Sequence, residues 1–113
     1  MIKILWLSRH EMSQTQLADL KRIYGEVEVK KVDMTVSHAT QITEAGNDCD
    51  IFAIVLPINI QEQLLRLTNK PIISCKNNRV PTGNKTSTCE IEYKFEFDHW
   101  FQIHEVKIVT EKL

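Results

Sequence analysis

An α/β fold is predicted by three features of the chain: four short apolar runs, three intervening stretches with apolar residues at helical spacing, and a last third that switches to alternation. Residues 2–7 are apolar on both faces apart from Lys3, as expected of a strand covered by helices on both sides. That first strand belongs in the middle of a sheet. Ser13-Gln14-Thr15-Gln16 then has the pattern of a capping box, in which a hydroxyl and a side-chain amide each close a free backbone N–H. Leu17, Leu20, Ile23 and Tyr24 follow at helical spacing, and Gly25 supplies a left-handed stop.

Val27, Val29 and Val32 form a second strand that ends near Asp33, and Ser37 caps a short helix carrying Ala39, Ile42 and Ala45, closed by Gly46. Residues 51–56 are the most hydrophobic run, bounded by Pro57, which cannot extend a hydrogen-bond ladder. Asn59, with Glu62 three residues on, caps a third helix with Leu64, Leu65 and Thr68 inward, and residues 71–75 make the fourth strand. The alternation β-α-β-α-β-α-β with short connections is the pattern of a mainly parallel, Rossmann-like three-layer sandwich. Residues 77–88 are polar and contain Pro81 and Gly83, which predicts a long loop. Beyond it Ile91, Tyr93, Phe95 and Phe97 alternate with Glu92, Lys94 and Glu96, and Val106, Ile108 and Thr110 alternate in a further run. These two strands are expected to pair antiparallel around residues 98–101, with Trp100 and Phe101 at the hairpin tip.

A length of 113 residues fits one domain spanning 1–113, and the net charge of −1 removes any global attraction to duplex nucleic acid or an anionic membrane. No apolar stretch approaches the roughly 18 residues of a membrane span, and no cationic-then-apolar leader precedes the first strand, so a cytoplasmic protein is expected. Cys49, Cys75 and Cys89 are odd in number and share no C-x-x-C spacing, which encodes neither a disulfide framework nor a zinc site. His38 sits on a short helix, and His99 and His104 lack carboxylate or cysteine company. No metal is expected.

In an open α/β sheet, ligands bind beyond the carboxyl ends of the strands where the strand order reverses. With the order 2-1-3-4 that place is the crevice between strands one and three, and Ser8-Arg9-His10 leaves the first strand directly into it. A guanidinium can clamp a phosphate bidentately and an imidazole titrates near neutrality, so Arg9 and His10 are the candidate catalytic groups, with Lys76 as a further cation. Ser8, Arg9, Asp33, Asn59, Asn77, Asn78 and Arg79 are the candidate ligand-binding residues; Asp33, at a strand end, suits a ribose hydroxyl. The helix N-termini at Ser13 and Asn59 would add partial positive charge. An alternative stays open in which Ser8 and His10 only satisfy turn hydrogen bonds and Arg9 solvates the surface. Neither G-x-G-x-x-G nor G-x-x-x-x-G-K-[ST] is present, so no dinucleotide or P-loop cofactor is expected.

Leu5-Trp6-Leu7-Ser8-Arg9-His10, followed by a capped helix with Gln16 and Leu17, resembles the start of short CRISPR-associated Rossmann-like proteins related to the CARF domain, some of which are ring nucleases. The resemblance covers about the first 25 residues and the overall topology. It implies a homodimer of an antiviral defence system that binds cyclic oligoadenylate and, in some members, cleaves it without metal, with Ser8, Arg9 and His10 facing the ligand phosphates. A different class of function is an adaptor or inhibitor, phage- or defence-associated, that docks through the C-terminal hairpin and the 77–88 loop. Such a protein requires no catalytic residue.

Overall fold

The apolar character of β1 (Ile2–Leu7) on both faces is met by neighbours on both sides: it pairs in parallel with β2 (Val27–Val32) and with β3 (Ile51–Ile54). The computed structural model describes residues 1–85 and 90–106, and among these the sheet has five strands in the order β2-β1-β3-β4-β5. β4 (Ile72–Lys85) runs parallel to β3, and β5 (Ile91–Gln102) returns antiparallel along β4. A mainly parallel α/β sheet with an antiparallel pair is what the sequence predicts in outline, although the pair is β4 with β5 and not two strands beyond residue 90.

Alternation along the strands sorts the core onto two faces. Leu5, Leu7, Phe52, Ile54 and Ile72 pack with Ala39 and Ile42 of α2 (Ala39–Ala45) and Ile60 and Leu64 of α3 (Ile58–Leu67). Ile4, Trp6, Ile51, Ala53 and Ile73 pack on the opposite face with Trp100 and with Leu20 of α1 (Gln14–Tyr24). Each fully buried aliphatic side chain contributes about 1.5–3 kcal/mol relative to exposure, so the two clusters together dominate what holds the sheet to its helices.

Local signals at the helix ends decide where the crossovers begin. The capping box of α1 is complete: the Gln16 N–H donates to Ser13 Oγ at 3.1 Å and the Ser13 N–H to Gln16 Oε1 at 2.9 Å. Gly25, at φ 82°, closes the helix by donating its N–H to the Lys21 carbonyl. α3 departs from expectation, because Pro57 and not Asn59 is its N-cap. The Pro57 carbonyl accepts the N–H groups of Ile60 and Gln61, while Glu62, read as the partner of an Asn59 cap, forms an ion pair with Arg66 one turn later.

The last third is rebuilt relative to the sequence reading. Residues 77–85, expected as loop, extend β4; the remainder of that stretch, residues 86–88, lies outside the described residues. Asn77, Asn78, Arg79 and Lys85 are exposed, so no apolar alternation announces the strand, and its ladder is supplied by β5. The expected turn at residues 98–101 is absent: β5 runs through it to Gln102, and the run 107–110 expected to pair with it lies outside the described residues. The register slips there, Lys76 facing His99 and Asn77 facing Phe97, which leaves Asp98 as the extra residue of a bulge. The slip turns Phe97 and Trp100 to the same face, with ring centroids 5.8 Å apart. Trp100 is therefore a core residue and not a hairpin tip.

Gly46 closes α2 where the chain passes over the Phe52 ring. A Cβ there would collide with that ring and lie 2.9 Å from Leu5 Cδ2. Gly46→Ala is expected to destabilise the protein by about 1–3 kcal/mol, the range for overpacking a filled core, as measured by urea denaturation. An unchanged midpoint would show that the ring can move aside without cost.

Candidate functional site

The end of β1 is fixed before any ligand arrives. The Ser8 N–H donates to the Val32 carbonyl of β2 at 3.1 Å, the His10 N–H donates to Ser8 Oγ at 3.1 Å, and the Trp6 indole N–H donates to the His10 carbonyl at 2.8 Å. One residue on, Glu11 pairs with Lys31 of β2 at 3.0 Å. The backbone of His10 is thus held through both its N–H and its carbonyl. Its imidazole is exposed and makes no hydrogen bond or ion pair among the described residues, and the same holds for the Arg9 guanidinium and the Asp33 carboxylate.

These groups share a cavity of about 310 Å³ at the carboxyl edge of the sheet. Ser8, Arg9 and His10 enter it from β1, Asp33 and Met34 from the end of β2, and Val55 and Leu56 from the end of β3. Since α1 covers one face and α2 and α3 the other, this cavity lies where the strand order reverses about β1. Its volume falls at the lower end of small-molecule sites, and its lining joins a cation, an imidazole and a carboxylate to an apolar wall.

The other sequence candidates stand elsewhere. Asn59 is an exposed residue of the first turn of α3 and does not line the cavity. Lys76, Asn77, Asn78 and Arg79 are exposed on β4, opposite His99, Phe97, Glu96 and Phe95 of β5, and none lines it either. Arg79 lies over the Tyr93 ring, 3.9 Å from its centroid, so its cation already has a partner. Ser13 and Thr15 at the start of α1 line a separate cavity of about 430 Å³ with Glu96 and Phe97. The capping box also occupies two N–H groups of that helix end. An anion in the β1–β3 crevice would therefore meet side chains and not a helix terminus.

Sequence reading missed two contributors. Met34, Val55 and Leu56 build the apolar wall; the sequence reading places Val55 and Leu56 within the third strand, which ends at Ile54, and Met34 stands two residues beyond β2. The Trp6 indole was read only as part of an apolar run, although a buried indole N–H must find an acceptor and here finds the loop.

Cys49 is buried and Cys75 half-buried, and burial pushes both thiols above their ordinary range, with Asp48 adding to the shift at Cys49. Cys89 lies outside the described residues. Among the described residues no group of three or more His, Cys, Asp or Glu side chains could hold a metal ion, and no helix is long and apolar enough to cross a membrane. Comparison with protein-family models, curated proteins and solved structures finds no match.

The raised thiol pKa values have a measurable sign. A thiol reacts as its thiolate, so at pH 8 Cys49 and Cys75 in a Cys89→Ser background should react with an aromatic disulfide reagent several-fold more slowly when folded than in urea. Equal rates in the two conditions would refute the burial argument.

Proposed function

We propose that the helices and sheet form a Rossmann-like three-layer sandwich whose β1–β3 crevice binds a nucleotide or small phosphodiester. The observation that carries this reading is the convergence of Arg9, His10 and Asp33, all without a side-chain partner among the described residues, with Ser8 on one cavity at the strand-order reversal. In this reading Arg9 takes the phosphate through paired N–H donors, Asp33 accepts from a ribose hydroxyl, and Met34, Val55 and Leu56 face the base. Ser8 Oγ already accepts the His10 N–H, which leaves its own hydroxyl proton for a phosphate oxygen.

A cavity of this size suits one nucleotide unit, so a cyclic oligoadenylate, the ligand implied by the likeness of residues 5–17 to CARF-related proteins, would be shared by two copies of the chain. Cleavage would follow from positioning: a ribose 2′-oxygen forms a bond to its own phosphorus, the bond from phosphorus to the 5′-oxygen breaks, and a 2′,3′-cyclic phosphate and a 5′-hydroxyl result. His10 would take the 2′-hydroxyl proton and return it to the leaving 5′-oxygen, and Arg9 would stabilise charge on the phosphorane. A homodimeric ring nuclease of a cytoplasmic defence system is the fullest form of this proposal.

A second reading, a non-enzymatic adaptor or inhibitor, is favoured by one observation: β5 is the edge strand of the sheet among the described residues and leaves Ile91, Tyr93 and Phe101 57%, 41% and 43% exposed. Thermal melts separate the two, because only the first reading gives stabilisation by a small phosphodiester without a protein partner.

Arg9→Ala should weaken binding of linear diadenylate by about 1.5–3 kcal/mol, the range for charge-assisted hydrogen bonds, and leave the melting temperature of the free protein unchanged within about a degree. His10→Ala should spare that binding and, where cyclic tetra-adenylate is cleaved, slow cleavage by roughly 10²–10⁴-fold. A drop of several kcal/mol in the stability of either free variant would show that the loop is structural, and absence of binding by the wild type would favour the docking reading.

A further inference from the structure

The segment that carries Arg9 and His10 into α1 is fastened at both ends by a pair of buried indoles. Trp6, 4% exposed, sits in β1 and Trp100, 8% exposed, in β5. Their rings meet edge to face, with centroids 5.8 Å apart and planes at 80°. The Trp6 N–H donates to the His10 carbonyl at 2.8 Å, and the Trp100 N–H donates to the Gln16 carbonyl in the first turn of α1 at 3.0 Å. An indole has a single polar group, and in a core it must be satisfied, so each ring dictates where one main-chain carbonyl lies.

We infer that Trp6 is a positioning residue for the crevice, held in turn by Trp100, so that the strand farthest from β2 helps to set the geometry of the loop beside it. The first part of the inference, that the loop is held by the indoles, stands on the contacts alone. The second, that this holding tunes affinity, rests on the proposed binding of a phosphodiester at Arg9 and His10. The contacts run in sequence: Trp100 packs on Trp6 and Phe97, Trp6 holds the His10 carbonyl, and Ser8 Oγ holds the His10 N–H. The side chains of Arg9 and His10 project from a backbone that is pinned on either side. Neither indole lines the cavity itself.

The test is Trp6→Phe in the full chain, which keeps an aromatic ring against Trp100 and removes the N–H together with part of the indole's bulk, so that β3, packed on the same face, serves as the control for lost packing. Amide hydrogen exchange comes first, because it needs no ligand. Residues 8–12 should exchange about five- to tenfold faster than in the wild type, the change that loss of one hydrogen bond produces in a local opening, while amides of β3 keep their protection. Unchanged exchange in residues 8–12 overturns the inference whatever the protein binds, and equal acceleration in β3 shows a merely structural role and overturns it too. Linear diadenylate is then titrated against both proteins. A Kd raised by about five- to tenfold for Trp6→Phe supports the link to affinity, and an unchanged Kd overturns that link. If the wild type binds no diadenylate, the proposed function fails while the exchange result still decides the positioning of the loop. Trp100→Phe provides a second variant should Trp6→Phe not fold: its accelerated exchange is expected at the first turn of α1, and wild-type exchange there counts against the paired-indole arrangement.

Discussion

The position of β1 between two parallel neighbours is the constraint from which the rest of the structure follows. A strand with parallel partners on both sides, Ile2 opposite Val27 and Ile4 opposite both Val29 and Ile51, has no free edge, and its two faces must be covered by helices. The right-handed crossover from β1 to β2 then sends α1 over one face, and the crossovers that return to β3 and onward to β4 send α2 and α3 over the other. Chain exits on opposite faces leave a gap above the point where they diverge. The loop after Leu7 has no choice but to stand beside that gap, and Asp33 and Val55 arrive at it because β2 and β3 end level with β1.

The parallel part of this arrangement was legible in the residues because burial on both faces leaves a strong mark. Ile51-Phe52-Ala53-Ile54 is apolar without interruption, Ser13-Gln16 and Gly25 bracket a helix by their own local hydrogen bonds, and these signals do not depend on distant sequence. The ribbon was not legible, for the converse reason. Asn77, Asn78 and Arg79 have exposed side chains, and nothing in their order distinguishes a strand from a polar loop. What makes them a strand is cross-strand pairing with Glu96, Phe97 and their neighbours about twenty residues away, information that periodicity does not carry. Trp100 was misplaced on the same account, since a bulge at Asp98 shifts the alternation and reverses which residues face inward.

For the candidate site the boundary runs between strand ends and helix starts. Ser8, Arg9, His10 and Asp33 were located by the ends of strands, which the apolar runs mark to within a residue. Asn59 was located by a capping pattern, and there the competing Pro57 carbonyl and the Glu62–Arg66 pair start the helix two residues earlier. Lys76 was located by assuming that the chain leaves the sheet after Cys75, and the ribbon carries it onward within the ladder instead. Asn59 is thus displaced by its own neighbour in the chain, and Lys76 by a strand more than twenty residues away.

The division of labour within the loop explains why an exposed segment can still be exact in shape. Backbone groups of Ser8 and His10 spend their hydrogen bonds on Val32, Ser8 Oγ and Trp6, so the main chain is set by the core and by β2. The polar ends of Arg9, His10 and Asp33 are left to water, where an unpaired exposed group costs little because solvent screens it and a surface ion pair would return at most about 1 kcal/mol. Stability therefore gives the protein no reason to pair them, and no pairing has to be broken when an anion or a hydroxyl enters. A loop whose backbone is fixed and whose side chains are uncommitted keeps the ordering cost of binding low. At the end of β1 that property coincides with a cavity, which Lys76 and Asn78, exposed on the β4 ladder, do not line. Arg79, stacked on Tyr93, and the Ser13 and Gln16 N–H groups of the α1 capping box have already committed theirs.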